Sequence, residues 1–303
     1  MSAPYAAPDD FRTAVLDAGL LVASAVDGVY QLSGEFEDVL QGLQRHLGSQ
    51  RVDHDAPRRW FPPVLPRAEF LRTDYVASFP DLVGSVDVFR GSDAEHKALL
   101  GDLEQGCDWT QHLEPAEIVL SSAGCHSLYA TLPAQIPDEA SRAEICGFVF
   151  RHESGPDPTR LQSFRMYEFV LVGTPEQALG HRDSWMPRAL AVLEGLGLRP
   201  RVEVAHDPFF GRAGRMLVAG QVEAALKYEF VVDITDATGT AIASANYQQD
   251  HFGRTFSLTT GDGQPAHGAC MAFGLERTTL ALYAAHGLDL AAWPADVRAA
   301  LGC

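Results

Sequence analysis

Phe148-Val-Phe-Arg151-His-Glu153-Ser-Gly-Pro-Asp-Pro-Thr-Arg160-Leu-Gln-Ser-Phe-Arg165-Met-Tyr-Glu168-Phe169-Val-Leu-Val172 is the stretch around which the rest of the chain is organised. Apolar, β-branched and aromatic residues stand at both ends, the composition of two strands. Between them Ser154-Gly-Pro-Asp-Pro158 is turn chemistry, because glycine frees the backbone angles and proline cannot donate to a ladder. The expected unit is a hairpin whose strands carry an unusual charge load: Arg151, Arg160 and Arg165, with Glu153 and Glu168 beside them. Two readings stand side by side. The arginines are a solvated sheet face, or they are a bidentate phosphate grip on a hairpin that closes over a nucleotide.

Working outward, the 303 residues suffice for one large core or two ordinary ones. A formal net charge of −17 argues against a protein that grips a long nucleic acid, which shows a basic surplus or a dense basic tract. Cys107, Cys125, Cys146, Cys270 and Cys303 are widely spaced and without a CxxC, the usage of free thiols in a reducing compartment. The first residues have neither a basic start nor an apolar run, so a cytoplasmic location without membrane attachment is expected.

Residues 9–25 read as a helix, opened by Asp9 and Asp10. Ser33 caps a clearer one, with Phe36, Val39, Leu40, Leu43 and Leu47 at helical spacing. Trp60-Phe-Pro-Pro-Val-Leu-Pro66 cannot be a central strand and reads as an edge or interface segment. Ser92-Asp-Ala-Glu95 and Thr174-Pro-Glu-Gln177 are capping boxes, the second with proline at the first helical position and with Pro187 as a point of restart. Lys227–Ile234 and Thr240–Asn246 form a further hairpin, and Gly268–Arg277 leads into an apolar helix ending at Gly287. Strands outnumber βαβ alternations, which predicts an α+β fold: a largely antiparallel sheet with helices laid on it.

Three of these segments, in this order, resemble the signature motifs of class II aminoacyl-tRNA synthetases. The helix 34–47 with Trp60–Pro66 resembles motif 1, the dimer-forming helix and strand. Phe150-Arg151-His-Glu153, a loop, and Arg165-Met-Tyr-Glu168-Phe169 resemble motif 2. Gly268 to Arg277, with Gly274-Leu-Glu276-Arg277 running into a helix, resembles motif 3. Within the superfamily the likeness is to zinc-dependent archaeal-type seryl-tRNA synthetases, and further to their bacterial homologues, the amino acid:[carrier protein] ligases. The resemblance spans about residues 30–290, so 1–303 is expected to be a single class II synthetase-like catalytic domain.

The resemblance implies a set of site residues. Cys125, Glu168 and Cys270 occupy the places of the zinc ligands; by themselves two dispersed cysteines and a glutamate read equally as core thiols beside an ion pair. A three-ligand zinc with one open position suits binding of a substrate amine. Arg151 is expected at the α-phosphate of ATP and Arg277 at the γ-phosphate, as the catalytic pair. Glu153 is expected at the adenine amino group, Phe169 stacked on the adenine, and Arg165 among the nucleotide contacts. Fixed positive charge on both sides of the transferring phosphorus, with Mg²⁺, is what adenylate formation demands. The family's Mg²⁺-binding glutamate is missing from Ala241–His251, where Asn246, Asp250 or His251 would have to stand in.

The implied activity is ATP-dependent adenylation of a small amino acid, glycine or alanine, and its transfer to the phosphopantetheine thiol of a carrier protein. A homodimer is expected, and no tRNA. An insertion near 207–226, with Arg212 and Arg215, is expected to dock the carrier protein through local charge complementarity. The alternatives are a seryl-type enzyme that charges tRNA and a synthetase-like regulatory subunit without catalysis.

Overall fold

The computed structural model describes residues 4–51, 55–153, 155–207, 224–235 and 239–303. A first helix, Pro8–Asp17, is followed by a small hairpin of β1 (Leu21–Ala23) and β2 (Tyr30–Leu32). The helix thus stops well short of residue 25. Gly19 takes φ +71°, which turns the chain, and Leu21 then pairs with Leu32 instead of continuing the helix. The helix Gly34–Ser49 forms as its pattern demands, Ser33 accepting from the Phe36 N–H at 3.1 Å and Phe36, Val39, Leu40, Leu43 and Leu47 all buried.

Prolines break the next segment into two short pieces, β3 (Arg58–Arg59) and β4 (Val64–Pro66). β4 lies with β5 (Ser85–Val88) and β6 (Glu114–Leu120) in a separate sheet of order β4-β6-β5. The main sheet adds β7 (Ser141–Phe150), β8 (Ser163–Gly173), β9 (Arg201–Ala205), β10 (Lys227–Val232), β11 (Thr240–Gln249) and β12 (His267–Gly274). Its order is β3-β7-β8-β12-β11-β10-β9, antiparallel throughout except for the β3–β7 pair. This is the α+β arrangement expected from the sequence. Among the described residues no helix is long and apolar enough to cross a membrane.

The helix Pro175–Gly195 runs unbroken through Pro187. Its capping box is complete, and the buried side chains Ala178, Trp185, Ala189, Val192 and Leu193 hold it to the sheet on both sides of the missing N–H.

Strand alternation sorts the sheet into two faces with different work. Glu168 pairs with Ala272 and Ile145, and Val170 with Cys270 and Ala143, so these residues share one face. That face packs on Cys125, Leu128, Tyr129, Phe252 and Phe256 in a satellite cluster. Tyr167, Phe169, Met271 and Phe273 point the other way, into the main core with Leu43, Trp185 and Tyr283 of three helices. Each buried side chain of this size contributes about 1.5–3 kcal/mol. The bulk of the stability therefore lies behind the sheet, and its front is left for a cavity.

Candidate active site

The front face opens into a cavity of about 520 Å³, lined by Cys125, Arg151, Phe164, Met166, Glu168, Ser244, Asn246, Cys270 and Arg277 among others. A second lobe of about 280 Å³ adjoins it and shares Arg151, Lys227, Glu229 and Arg277 with it. The polar lobe and the thiol-bearing lobe thus form one continuous site.

In the polar lobe two guanidiniums are held from behind. Arg151 Nε donates to the Ser122 carbonyl at 3.1 Å, and Arg277 Nε donates to the Thr159 carbonyl at 2.9 Å. Glu153 bridges Arg277 and Arg160, each at 3.2 Å. Burial pulls the Arg277 guanidinium below its ordinary range, Glu153 opposing this, so an incoming polyanion would relieve a desolvated charge. Both guanidinium carbons lie 5.7 Å from the centroid of the Phe164 ring. Lys227, which lines both lobes, reaches Asp207 at 2.7 Å and Glu229 at 3.0 Å through Nζ.

In the other lobe the expected trio comes together from three elements. Glu168 on β8 accepts from the Gly124 N–H at 2.8 Å through Oε1 and from the Cys125 N–H at 3.0 Å through Oε2. Cys270 Sγ on β12 lies 3.6 Å from Glu168 Oε2. Cys125 and Cys270 are buried, free thiols. The Cys125 thiol is favoured as an anion by its hydrogen bond with Cys270, but burial and Glu168 outweigh this and lift its pKa. The same hydrogen bond, then burial, pushes Cys270 well above its ordinary value, and burial lifts Glu168 against the Gly124 N–H. Burial thus disfavours the charged form of all three groups, and a bound divalent ion inverts that logic. Among the described residues no group of three or more His, Cys, Asp or Glu side chains is arranged to hold a metal ion, and each Glu168 oxygen accepts from a backbone amide. The donor chemistry, two buried thiols and one carboxylate, fits zinc.

Arg165 and Phe169 stand elsewhere than the sequence reading placed them. Both are on the back of the sheet. Arg165 donates through Nε to Glu276 at 2.8 Å and through its terminal nitrogens to Glu37 at 2.7 and 2.8 Å. Phe169 stacks on Trp185, with centroids 4.1 Å apart and planes at 24°. The cause is the two-residue period: if Glu168 faces the cavity, so do Phe164 and Met166, and Arg165, Tyr167 and Phe169 cannot. Phe164 is the aromatic that sequence reasoning missed, and the alternation counted back from Glu168 identifies it. Glu229 was missed as well. It sits on β10, one strand away from the stretch inspected for an acidic residue, and only strand pairing brings it to the cavity. Of the stand-ins considered, Asn246 and His251 line the cavity, while Asp250 is paired with Arg254 at 2.7 Å. Arg212 and Arg215 lie outside the described residues.

Comparison with known proteins places the fold first. The structure matches Methanopyrus kandleri seryl-tRNA synthetase, solved with an Aquifex aeolicus tRNA, at TM-score 0.82 and 21% identity over 98% of this chain and 60% of that one. It matches the cytoplasmic serine-tRNA ligase of Naegleria fowleri at TM-score 0.72 and 14% identity over 96% of this chain and 59% of that one. The chain thus has the class II synthetase catalytic fold, and spans about 60% of the length of these solved enzymes. No family profile matches it. Among curated proteins, amino acid–[acyl-carrier-protein] ligase 1 of Bradyrhizobium diazoefficiens is 40% identical over 279 residues, covering 91% of this chain and 85% of that one. Ligase 2 of the same organism is 39% identical over 278 residues, 91% and 83%. The type-2 serine–tRNA ligase of M. kandleri follows at 24% over 266 residues, 78% and 49%. The chain belongs to the amino acid–[acyl-carrier-protein] ligase family.

Proposed function

We propose that this protein uses ATP to convert glycine or alanine to the aminoacyl adenylate and passes the aminoacyl group to the phosphopantetheine thiol of a carrier protein. The observation that carries this reading is the continuity of the two lobes, with two thiols and a carboxylate at one end and two guanidiniums and an aromatic ring at the other. The similarity to the two Bradyrhizobium ligases supports the choice of acceptor.

In the first step a carboxylate oxygen of the amino acid attacks the α-phosphorus, and the bond to pyrophosphate breaks. Arg151 and Arg277, anchored from behind, present charge to the polyphosphate without reorganising during the reaction. Phe164 offers the purine a stacking face, and Glu153 positions the Arg277 guanidinium. Cys125, Glu168 and Cys270 would hold Zn²⁺, which when bound supplies a Lewis-acidic anchor for the substrate amine. Glu229 and Asn246 line the cavity and would offer oxygen donors to Mg²⁺. In the second step the acceptor sulfur attacks the carbonyl carbon and AMP leaves, giving a thioester. We also assign dimer formation to the groove of about 420 Å³ that Phe148 and Arg45 line with Trp60, which is 67% exposed in the single chain.

Amino-acid-dependent exchange of pyrophosphate into ATP tests the first step, and trapping of product on holo-carrier protein or on tRNA tests the second. Exchange with glycine or alanine and a hydroxylamine-labile adduct on the carrier are expected. Exchange without any carrier adduct but with charged tRNA would assign the chain to the tRNA-charging alternative, and no exchange at all to the non-catalytic one. Zinc content measured on wild type and on Cys125→Ser and Cys270→Ser separates the ligand assignment from the activity.

A further inference from the structure

In the satellite cluster that holds Cys125 and Cys270 stands a buried hydroxyl without a hydrogen-bond partner. Tyr129 ends the short helix His126–Tyr129, is 1% exposed, and its Oη has no hydrogen-bond partner. Its ring is fixed by stacking on Phe252, centroids 4.2 Å apart and planes at 27°. A buried donor without an acceptor costs stability, and native proteins keep few of them without a reason.

Two features of the chain bring this hydroxyl to the thiols. Tyr129 follows Cys125 by four residues, and Cys125 already has helical angles of φ −67° and ψ −20°, so the two side chains lie on the same side of the turn. The Oη also stands 2.9 Å from where a side chain at Gly268 would begin, and Gly268 precedes Cys270 by two residues on the same face of β12. A methyl group at position 268 would strike the hydroxyl, so glycine is what admits it.

We propose that Tyr129 is a positioning residue for the metal, its O–H donating to the Cys270 sulfur once that sulfur is ligated. The proposal rests on the zinc reading of Cys125, Glu168 and Cys270. Thiols bind a metal as thiolates, so ligation makes the Cys270 sulfur a stronger acceptor for the unpartnered Tyr129 hydroxyl. A hydrogen bond from a fixed phenol then holds the Cys270 side chain in its ligating orientation, as partners behind a ligand do in other metal sites. The rival acceptor is Gln248, whose Oε1 is also unpartnered and stands 3.0 Å from the same point above Gly268.

Tyr129→Phe, made in the full chain, removes the hydroxyl and keeps the stacked ring. Zinc affinity is read by competition with a chromophoric chelator, and Co²⁺ in place of Zn²⁺ reports on the sulfur. The metal-free variant is expected to melt at or above the wild-type temperature while its zinc affinity falls about 10–100-fold. Loss of the hydrogen bond should also move the thiolate-to-cobalt charge-transfer band to longer wavelength. Gln248→Met should leave both the affinity and the band in place. Unchanged zinc affinity and an unmoved band in Tyr129→Phe would overturn the proposal, and so would a Gln248→Met variant that reproduces its loss. A wild-type protein that takes up no zinc would instead sink the metal assignment itself, and the proposal with it.

Discussion

Replacing Phe164 and Phe169 separately with leucine sets the two faces of β8 against each other. Leucine keeps most of the apolar volume, so neither change should cost more than about 1.5 kcal/mol in packing. What each loses is its aromatic partner. Phe169 loses the stack on Trp185, at 4.1 Å and 24°, a pairing of about 0.5–1.5 kcal/mol beyond area burial. For a chain of this length that is a fall of about 1–2 °C in Tm. Its ATP dependence should not move, because the ring never reaches the cavity. Phe164 loses the surface on which a purine would lie beside Arg151 and Arg277. Stacking of a base on an aromatic side chain is worth about 1–3 kcal/mol, so kcat/KM for ATP in pyrophosphate exchange should drop by roughly 5- to 150-fold. The two variants thus exchange signatures, one thermal and one kinetic. If Phe169→Leu raises the ATP KM and Phe164→Leu does not, the facing of β8 argued here is wrong.

Arg165→Gln should destabilise the fold by about 3–5 kcal/mol, since it leaves the buried Glu276 carboxylate without its cation, and urea unfolding will show it. The His181 ring, whose Nε2 lies 3.0 Å from the Phe169 carbonyl, is held by burial at a pKa of about 4, below its ordinary value. The unfolded chain therefore takes a proton first, and stability present above about pH 6.5 is lost as pH falls toward about 4. His181→Gln should abolish this increment, so urea midpoints of variant and wild type should converge across that window; parallel curves would refute the assignment. Trp60→Asp should yield a folded monomer in sedimentation if the groove beside Phe148 is the dimer contact, and an unchanged mass would rule that contact out.

Much of this site could be read in the sequence because its residues act through local chemistry. The capping boxes at Ser92 and Thr174, the stripe of Phe36 to Leu47 and the hairpin around Pro156 depend on neighbours within a few residues, and all stand as expected. Cys125, Glu168 and Cys270 were brought together by resemblance; their spacing alone does not reveal that β8 and β12 are neighbours. Two errors had one origin. Arg165 and Phe169 carry the right residue types in the right segment, but a strand exposes alternate residues, and Glu168 had already fixed which ones. Glu229 was hidden for another reason, since its approach to the cavity depends on long-range pairing of β10 with β11. The first helix, expected over residues 9–25, ends at Asp17 because the backbone turns at Gly19, whose φ is positive.

Adjacent positions on β8 answer to unrelated demands, and this constrains how the gene can change. Deleting or inserting one codon between Phe164 and Val170 would exchange the lining of the reaction chamber for the packing of the interior in a single event. The tip between Glu153 and Thr159 has no two-residue alternation to keep, although both of its ends are tied to Arg277. Across relatives, differences in length should therefore gather at that tip, while the strand keeps its residue count even where its letters drift.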